Sequence, residues 1–292
     1  MQTRLGNTNT VVTSIGLGAM PLSLEGRPDE DTAIKVIASF IDKGGNFIDT
    51  ANVYCFDDTD IGHNEQLINR ALTRLGKKND VIVATKGGLR RPRGSWDVDA
   101  SPEWIRSSCE KSLQDLQVDS IFLYQLHAPD PNIPFTDSTG ELLKLKEEGK
   151  IQHIGISNVN VDEINEVLSV TPVLSVQNRC NVFEKKSFLN GVVEKCHQQG
   201  IVFIPHSPVG GHHGHKNASR SDLLKRLAVK HECSTYQIML AWLLRKGEFI
   251  LPIPGASKVS SITDSMKSMN VTLDREDMSL LDDIQSAYIP GP

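Results

Sequence analysis

Residues 46–54 read NFIDTANVY, and the same grammar returns as VIVATK at 81–86 and IFLYQLH at 121–127. Each stretch is a short apolar run: Phe47-Ile48, then Val81-Ile82-Val83, then Ile121-Phe122-Leu123. Each closes on a side chain able to do chemistry, namely Asp49, Lys86 and His127, with Tyr54 in the loop after the first. Apolar runs of this length read as strands buried on both faces. The segments between them read as helices. Residues 31–43 place Ile34, Ile37, Ala38 and Ile41 on one face and stop at Gly44-Gly45. Residues 64–75 carry a second helix, and Ser101-Pro102-Glu103 caps and opens a third, with Ile105, Cys109, Leu113 and Leu116 on one face.

Working outward, the alternation continues. A helix over 138–148 precedes strand IQHIGI, and one over 161–168 precedes VLSVQ. A helix over 189–198 ends at Gly200 and feeds strand IVFIP. Helices over 222–230 and 235–245 lead to FILPI, a further helix begins near Ser260, and a last one covers 274–286. Residues 11–17 are β-like and open the series, and an N-terminal β-hairpin is expected as well. Eight core strands separated by helices specify an α/β fold, a (β/α)8 TIM barrel, in a single domain over 1–292 with extra C-terminal helices. An open doubly wound sheet would carry a glycine fingerprint after its first strand; Gly16-Leu17-Gly18 lacks the third glycine and runs into Pro21.

The bulk numbers agree. With 292 residues and 39% hydrophobic content the chain can bury a large core. A net charge of −5 provides no field favouring nucleic acid or an anionic membrane, so neither is expected as a partner. MQTRLGNTNT has no apolar segment of the kind a secretory signal needs, and no run reaches bilayer length. Cys55, Cys109, Cys180, Cys196 and Cys233 are odd in number and scattered, which argues against a disulfide framework or a zinc site and for a reducing cytoplasm. Cys55 follows Tyr54 and is expected to be a passive thiol.

A phenol, an ammonium, a carboxylate and an imidazole at neighbouring strand ends form a proton-delivery device of the kind carbonyl reduction requires. Tyr54 can supply the proton, Lys86 can lower the phenol's pKa, Asp49 can hold the ammonium, and His127 can orient the substrate oxygen. Each of these residues alone is ordinary for a loop or strand end; the joint pattern is not.

The chain resembles the aldo-keto reductases over nearly its whole length. The resemblance is carried by GGNFIDTANVY, the GHNE stretch from Gly62, ATK at Lys86, LHAPDP at His127, GKIQHIGISN ending at Asn158, VQN at Gln177, SPVGG from Ser207 and IPGAS from Ile253. It implies a barrel that binds NADPH (NADH less readily) without a dinucleotide domain, and a catalytic tetrad of Asp49, Tyr54, Lys86 and His127. Ser157, Asn158 and Gln177 are similar to the ligands of the nicotinamide carboxamide, and Asn158 could also serve as a cap for the helix that follows. Ser207, Val209 and Gly211 resemble the loop along the pyrophosphate. Ser257 and Lys258 resemble the site of the adenosine 2′-phosphate at a helix N-terminus. Three positions depart from the family. His206 stands where an aromatic ring, commonly Tyr, stacks on the nicotinamide; Ser261 stands where Arg or Gln is common; and Cys55 follows Tyr54 where Gly is usual.

Gly210-Gly211-His212-His213-Gly214-His215 reads as a mobile, histidine-rich loop in which His212 or His213 could meet a polar substrate group, and no metal site is expected. The leading expectation is an oxidoreductase that reduces an aldehyde or ketone, with the pyridoxal reductases as the most similar branch. The partner is then a small carbonyl compound, and the chain a monomer or weak homo-oligomer. The short tail AYIPGP leaves one wall of the pocket open. Two other classes stay open: a redox-sensing regulatory subunit of the same fold, and a phosphate-handling barrel isomerase or aldolase.

Overall fold

The computed structural model of the protein describes residues 1–285, save the side chains of His212, His213 and His215. Seven strands lie in one parallel sheet, in the order in which they occur in the chain. They are β1 (Leu17–Gly18), β2 (Phe47–Asp49), β3 (Ile82–Gly87), β4 (Ile121–Leu126), β5 (Ile151–Ser157), β6 (Ser175–Gln177) and β7 (Val202–Phe203). The expected eighth strand, FILPI, closes the ring, held by two bridges, Ile250 to Phe203 and Gly255 to Gly18. Leu251 N–H donates to the Phe203 carbonyl at 2.9 Å, and Gly16 and Gly18 N–H donate to the carbonyls of Pro252 at 2.9 Å and Pro254 at 3.1 Å. Pro252 and Pro254 have no N–H to return, so the ladder along this seam is half-complete. The architecture is the (β/α)8 barrel.

Helices cover the outside: α1 (Glu30–Asp42), α2 (His63–Leu75), α3 (Pro102–Leu116), α4 (Phe135–Glu147), α5 (Val161–Val170), α6 (Lys186–Leu189), α7 (Val192–Gln199), α8 (Gly211–Arg220), α9 (Asp222–Lys230), α10 (Thr235–Lys246), α11 (Val259–Lys267) and α12 (Arg275–Asp282). Asp29 caps α1 by accepting the Thr32 N–H, and Ser101 caps α3 by accepting that of Trp104. Three expectations need correction. The helix expected over 189–198 is two helices, α6 and α7, broken at Asn190-Gly191. The helix expected from 138 starts at Phe135. The loop expected around the histidines is helix α8, because Gly214 and Ala218, four residues apart, are both buried and let the helix pack closely. The expected substrate contacts of His212 and His213, and the tail AYIPGP, lie outside the described residues.

Strand alternation divides the core. Phe47, Ala84, Leu123, Val202, Ile204, Leu251 and Ile253 fill the barrel interior, joined by Leu5 and Val12 from the N-terminal hairpin of Gln2–Arg4 and Val11–Thr13. A Cβ at Gly6 would meet Leu174 and the Gly200 carbonyl, both just ahead of β6 and β7, so the hairpin plugs the end where the strands begin. Outward residues such as Ile48, Ile154, Ile156, Val176 and Phe203 pack under the helices. Among the described residues, no helix is long and apolar enough to cross a membrane.

Candidate active site

Toward the other end of the barrel the inward side chains turn polar. Along β2, β3 and β4 the inward pairs run Phe47 then Asp49, Ala84 then Lys86, and Leu123 then Gln125. β5 and β6 add Ser157 and Gln177 at opposed register positions. Gly155 lies between the strands of this layer: a Cβ there would come within 2.7 Å of the Gln125 side chain. Its bare backbone makes room for that amide.

Lys86 is fully buried, and its ammonium has an acceptor for each proton. Nζ donates to Asp49 Oδ2 at 2.6 Å, to the Thr50 carbonyl at 2.9 Å and to Tyr54 Oη at 3.0 Å. Asp49 Oδ1 accepts from Gln125 Nε2 at 3.1 Å and Gln177 Nε2 at 2.8 Å. Three polar groups thus fix the Asp49 carboxylate, as buried ion pairs require. Because Tyr54 Oη accepts from Lys86, its own O–H is left to donate elsewhere. The His127 ring stands edge-on to Tyr54, centroids 5.8 Å apart. His127 Nδ1 is buried without a partner, so Nε2 is the nitrogen left to meet a ligand.

Burial is the largest single influence on Tyr54, Lys86 and His127, and it sets the direction for Tyr54 and His127. It raises the Tyr54 phenol above its ordinary value, with the Lys86 charge opposing the rise. The expectation that Lys86 brings the phenol down therefore holds for the sign of its influence and not for the net direction. Burial also pulls on the Lys86 ammonium, but Asp49 and Tyr54 outweigh it and raise the group overall. Burial and the Lys86 charge hold His127 well below the usual imidazole range. Cys55 is buried and its thiol is pushed up to about 12 by desolvation, in keeping with a passive role.

The expected cofactor residues join this cluster in part. Ser157 Oγ donates to the Gln177 carbonyl at 2.6 Å. Asn158 Nδ2 donates to the His127 carbonyl at 2.9 Å, and Asn158 Oδ1 lies 3.3 Å from His206 Nε2. Asn158 does not cap the next helix. Asn160 does so, in a reciprocal capping box with Glu163. Asn158 and Ser207 both adopt left-handed backbone, at φ 59° and 52°, an uncommon conformation for non-glycine residues. Gln177 spends its amide N–H groups on Asp49 and on Gln125 Oε1, leaving its carbonyl oxygen for a ligand. The His206 ring is bonded only along its edges, to Asn158 and Ser207, and burial together with Lys86 and Arg179 lowers its pKa to about 3. Val209 is half-buried against the core, and Gly211 begins α8. Ser257 and Lys258 lead into α11, whose N-terminus has no side-chain cap. Among the described residues, no hydrogen bond ties these two to the tetrad.

Gln125 escaped the sequence reading, although a lone amide inside an apolar strand, two residues before His127 and on the same face, was its signal. The GHNE stretch proves to be scaffolding. Gly62, at φ 89°, ends the loop from Tyr54, and a Cβ there would lie 2.0 Å from Asp115 Oδ2. Asn64 accepts from Thr50 Oγ1 at 2.5 Å and donates to the Ala19 carbonyl at 2.9 Å, pinning the segment after Asp49 to the segment after β1.

Comparison with known proteins gives a consistent result. The Aldo/keto reductase family profile matches residues 14–286. An uncharacterized oxidoreductase of Schizosaccharomyces pombe is 35% identical over 278 residues, covering 94% of this chain and 87% of that protein. A probable aldo-keto reductase of Glycine max is 32% identical over 305 residues, covering 94% and 86%. The structure of a glycerol dehydrogenase from Gluconobacter oxydans superposes with a TM-score of 0.84 at 26% identity, covering 100% of this chain and 97% of that one.

Proposed function

The chain belongs to the Aldo/keto reductase family, and on that premise we propose that it reduces an aldehyde or ketone to an alcohol with NADPH, Tyr54 giving the proton. One observation carries the reading: the buried Lys86 ammonium bridges the Asp49 carboxylate and the Tyr54 hydroxyl. The nicotinamide cofactor, when bound, supplies the hydride. Burial keeps the phenol protonated at neutral pH, and its O–H is free to donate. As the proton leaves, the Lys86 charge stabilises the phenolate that remains, and Asp49 keeps that charge in place. His127 stays neutral and turns Nε2 toward the substrate oxygen, which fixes the carbonyl beside Tyr54 Oη.

The donor set suits the cofactor. The Asn158 amide, Ser157 hydroxyl and Gln177 carbonyl converge beside Tyr54 and His127, and an amide group needs both donors and acceptors. The His206 ring would take the stacking position, and as a neutral imidazole it adds no charge against an oxidised nicotinamide. The uncapped N-terminus of α11 with Lys258 suits a 2′-phosphate and so favours NADPH over NADH. The test is the rate of NADPH oxidation by purified protein with an aldehyde panel that includes pyridoxal and nitrobenzaldehyde. Turnover on any of them supports the assignment. Tight NADPH binding without turnover across the panel would overturn it in favour of a cofactor-sensing subunit.

A further inference from the structure

Just past Lys86 the third barrel strand runs into a short hairpin, Leu89–Arg90 paired antiparallel with Asp97–Val98. This hairpin folds over the candidate proton donor. Leu89 packs in one cluster with Ala51, Val53 and Tyr54. Trp96 sets its ring edge-on to the Tyr54 ring, centroids 6.4 Å apart at 80°. On the face of Trp96 rests the guanidinium of Arg91, its Cζ 3.8 Å from the ring centroid.

Arg91 is 8% exposed, yet it has little to offset its charge. Its Nε reaches the Cys55 carbonyl at 3.4 Å, a long bond. Nη1 is buried with no hydrogen-bond partner. Of the acids around the hairpin, Asp99 pairs with Arg90 and Asp60 with Arg27, while Asp97 accepts from Ser95 Oγ. Among the described residues, Arg91 forms no ion pair. A guanidinium withdrawn from water without an anion is expensive, and stacking on an indole recovers only part of that cost. Arg90 makes the contrast plain: it too stacks on an indole, that of Trp104, but it has its carboxylate as well. Arg91 lacks the anion and sits one indole away from Tyr54.

We propose that Arg91 determines substrate choice by receiving an oxoacid anion, a carboxylate or phosphate monoester, carried by the same compound whose carbonyl lies at Tyr54. The proposal rests on carbonyl reduction at Tyr54. The planar fork of a guanidinium matches two oxygens of such a group, which an ammonium does not. Trp96 touches both groups, its ring edge-on to Tyr54 and its face against Arg91, so a compound lying along the indole spans the two. The selected substrates are then acidic aldehydes or ketones, and neutral ones of the same shape bind poorly.

A matched set of aldehydes tests this: 4-carboxybenzaldehyde, its neutral methyl ester, and 4-formylphenyl phosphate, each assayed for kcat and KM with NADPH. The wild-type protein should prefer the acid to the ester by on the order of 10- to 100-fold in kcat/KM, with most of the difference in KM. In Arg91→Met that ratio should fall to about one, and Arg91→Lys should keep only part of it. NADPH binding followed by fluorescence verifies that each variant is folded. The wild-type ratio stands even if Arg91→Met does not fold, and an acid preference below about threefold overturns the proposal. A preference that survives in folded Arg91→Met overturns it too. Equal reduction of acid and ester refutes Arg91 alone, whereas reduction of neither refutes the reading of the Tyr54 site and this inference with it. Faster turnover of the phosphate than of the carboxylate supports a phosphorylated substrate, and the reverse order supports a carboxylate.

Discussion

Replacing Tyr54 with Phe removes one hydroxyl and leaves the ring in place between Trp96 and His127. The expected result is a fall in kcat of about 10²- to 10⁴-fold with NADPH affinity kept, measured by single-turnover rates and fluorescence titration. Full activity in Tyr54→Phe would remove the hydroxyl from the reaction. The imidazoles make a second prediction. Burial and the Lys86 charge hold His127 well below its ordinary value, and the same influences lower His206 to about 3. Both are neutral in the physiological range, so the pH profile of kcat/KM should show no imidazole inflection between pH 6 and 8. A titration near 6.5 that vanishes in His127→Gln would contradict this. At this scale the sequence was legible where a polar residue ends an apolar run, which is why Asp49, Lys86 and His127 stand out. Gln125 was overlooked although its place inside an apolar strand marked it, and Arg91 was not legible at all, because its importance comes from a buried atom without a partner, which sequence does not contain.

The elements were legible wherever apolar spacing and caps agreed, as for α1 and α3. They were missed where small residues misled: Gly210 to Gly214 read as a loop, and close packing at Gly214 and Ala218 made it helix α8. Helix α2 supports a sharper test. Glu65, on its first turn, is fully buried, takes a hydrogen bond from Thr85 Oγ1 and leaves Oε2 unpartnered, and burial raises its pKa to about 7. The folded state therefore holds a proton that the unfolded state releases between about pH 4.5 and 7. Stability declines as pH rises through that window. Glu65→Gln lacks the titration, so its stability relative to the parent should improve from pH 5 to pH 8 by up to roughly 3 kcal/mol. Urea midpoints at the two pH values measure the difference. A gap that does not change with pH would mean that Glu65 is not buried as a proton carrier.

For the whole molecule, counting apolar runs gave the number of strands, and the barrel follows from that number. FILPI was legible as the eighth strand; how it closes the ring was not, because the one-sided ladder of the Pro252 and Pro254 carbonyls to Gly16 and Gly18 depends on a pairing that sequence does not display. The plug at the opposite end carries a direct prediction. Leu5 is 1% exposed among Phe47, Leu123, Val202 and Leu251, so Leu5→Ala should cost about 2–5 kcal/mol in denaturant unfolding and leave KM for the aldehyde unchanged. A loss well under 1 kcal/mol would show that the hairpin does not seal the barrel. The seam also has a consequence for biosynthesis. The stave at 250–255 must meet a strand at 16–18, so a ribosome adding about 5–20 residues per second holds the two apart for on the order of ten to fifty seconds. Throughout that interval the nascent sheet carries two open edges. Newborn chains should therefore depend on holding chaperones until the final quarter emerges, long after the tetrad itself has been translated.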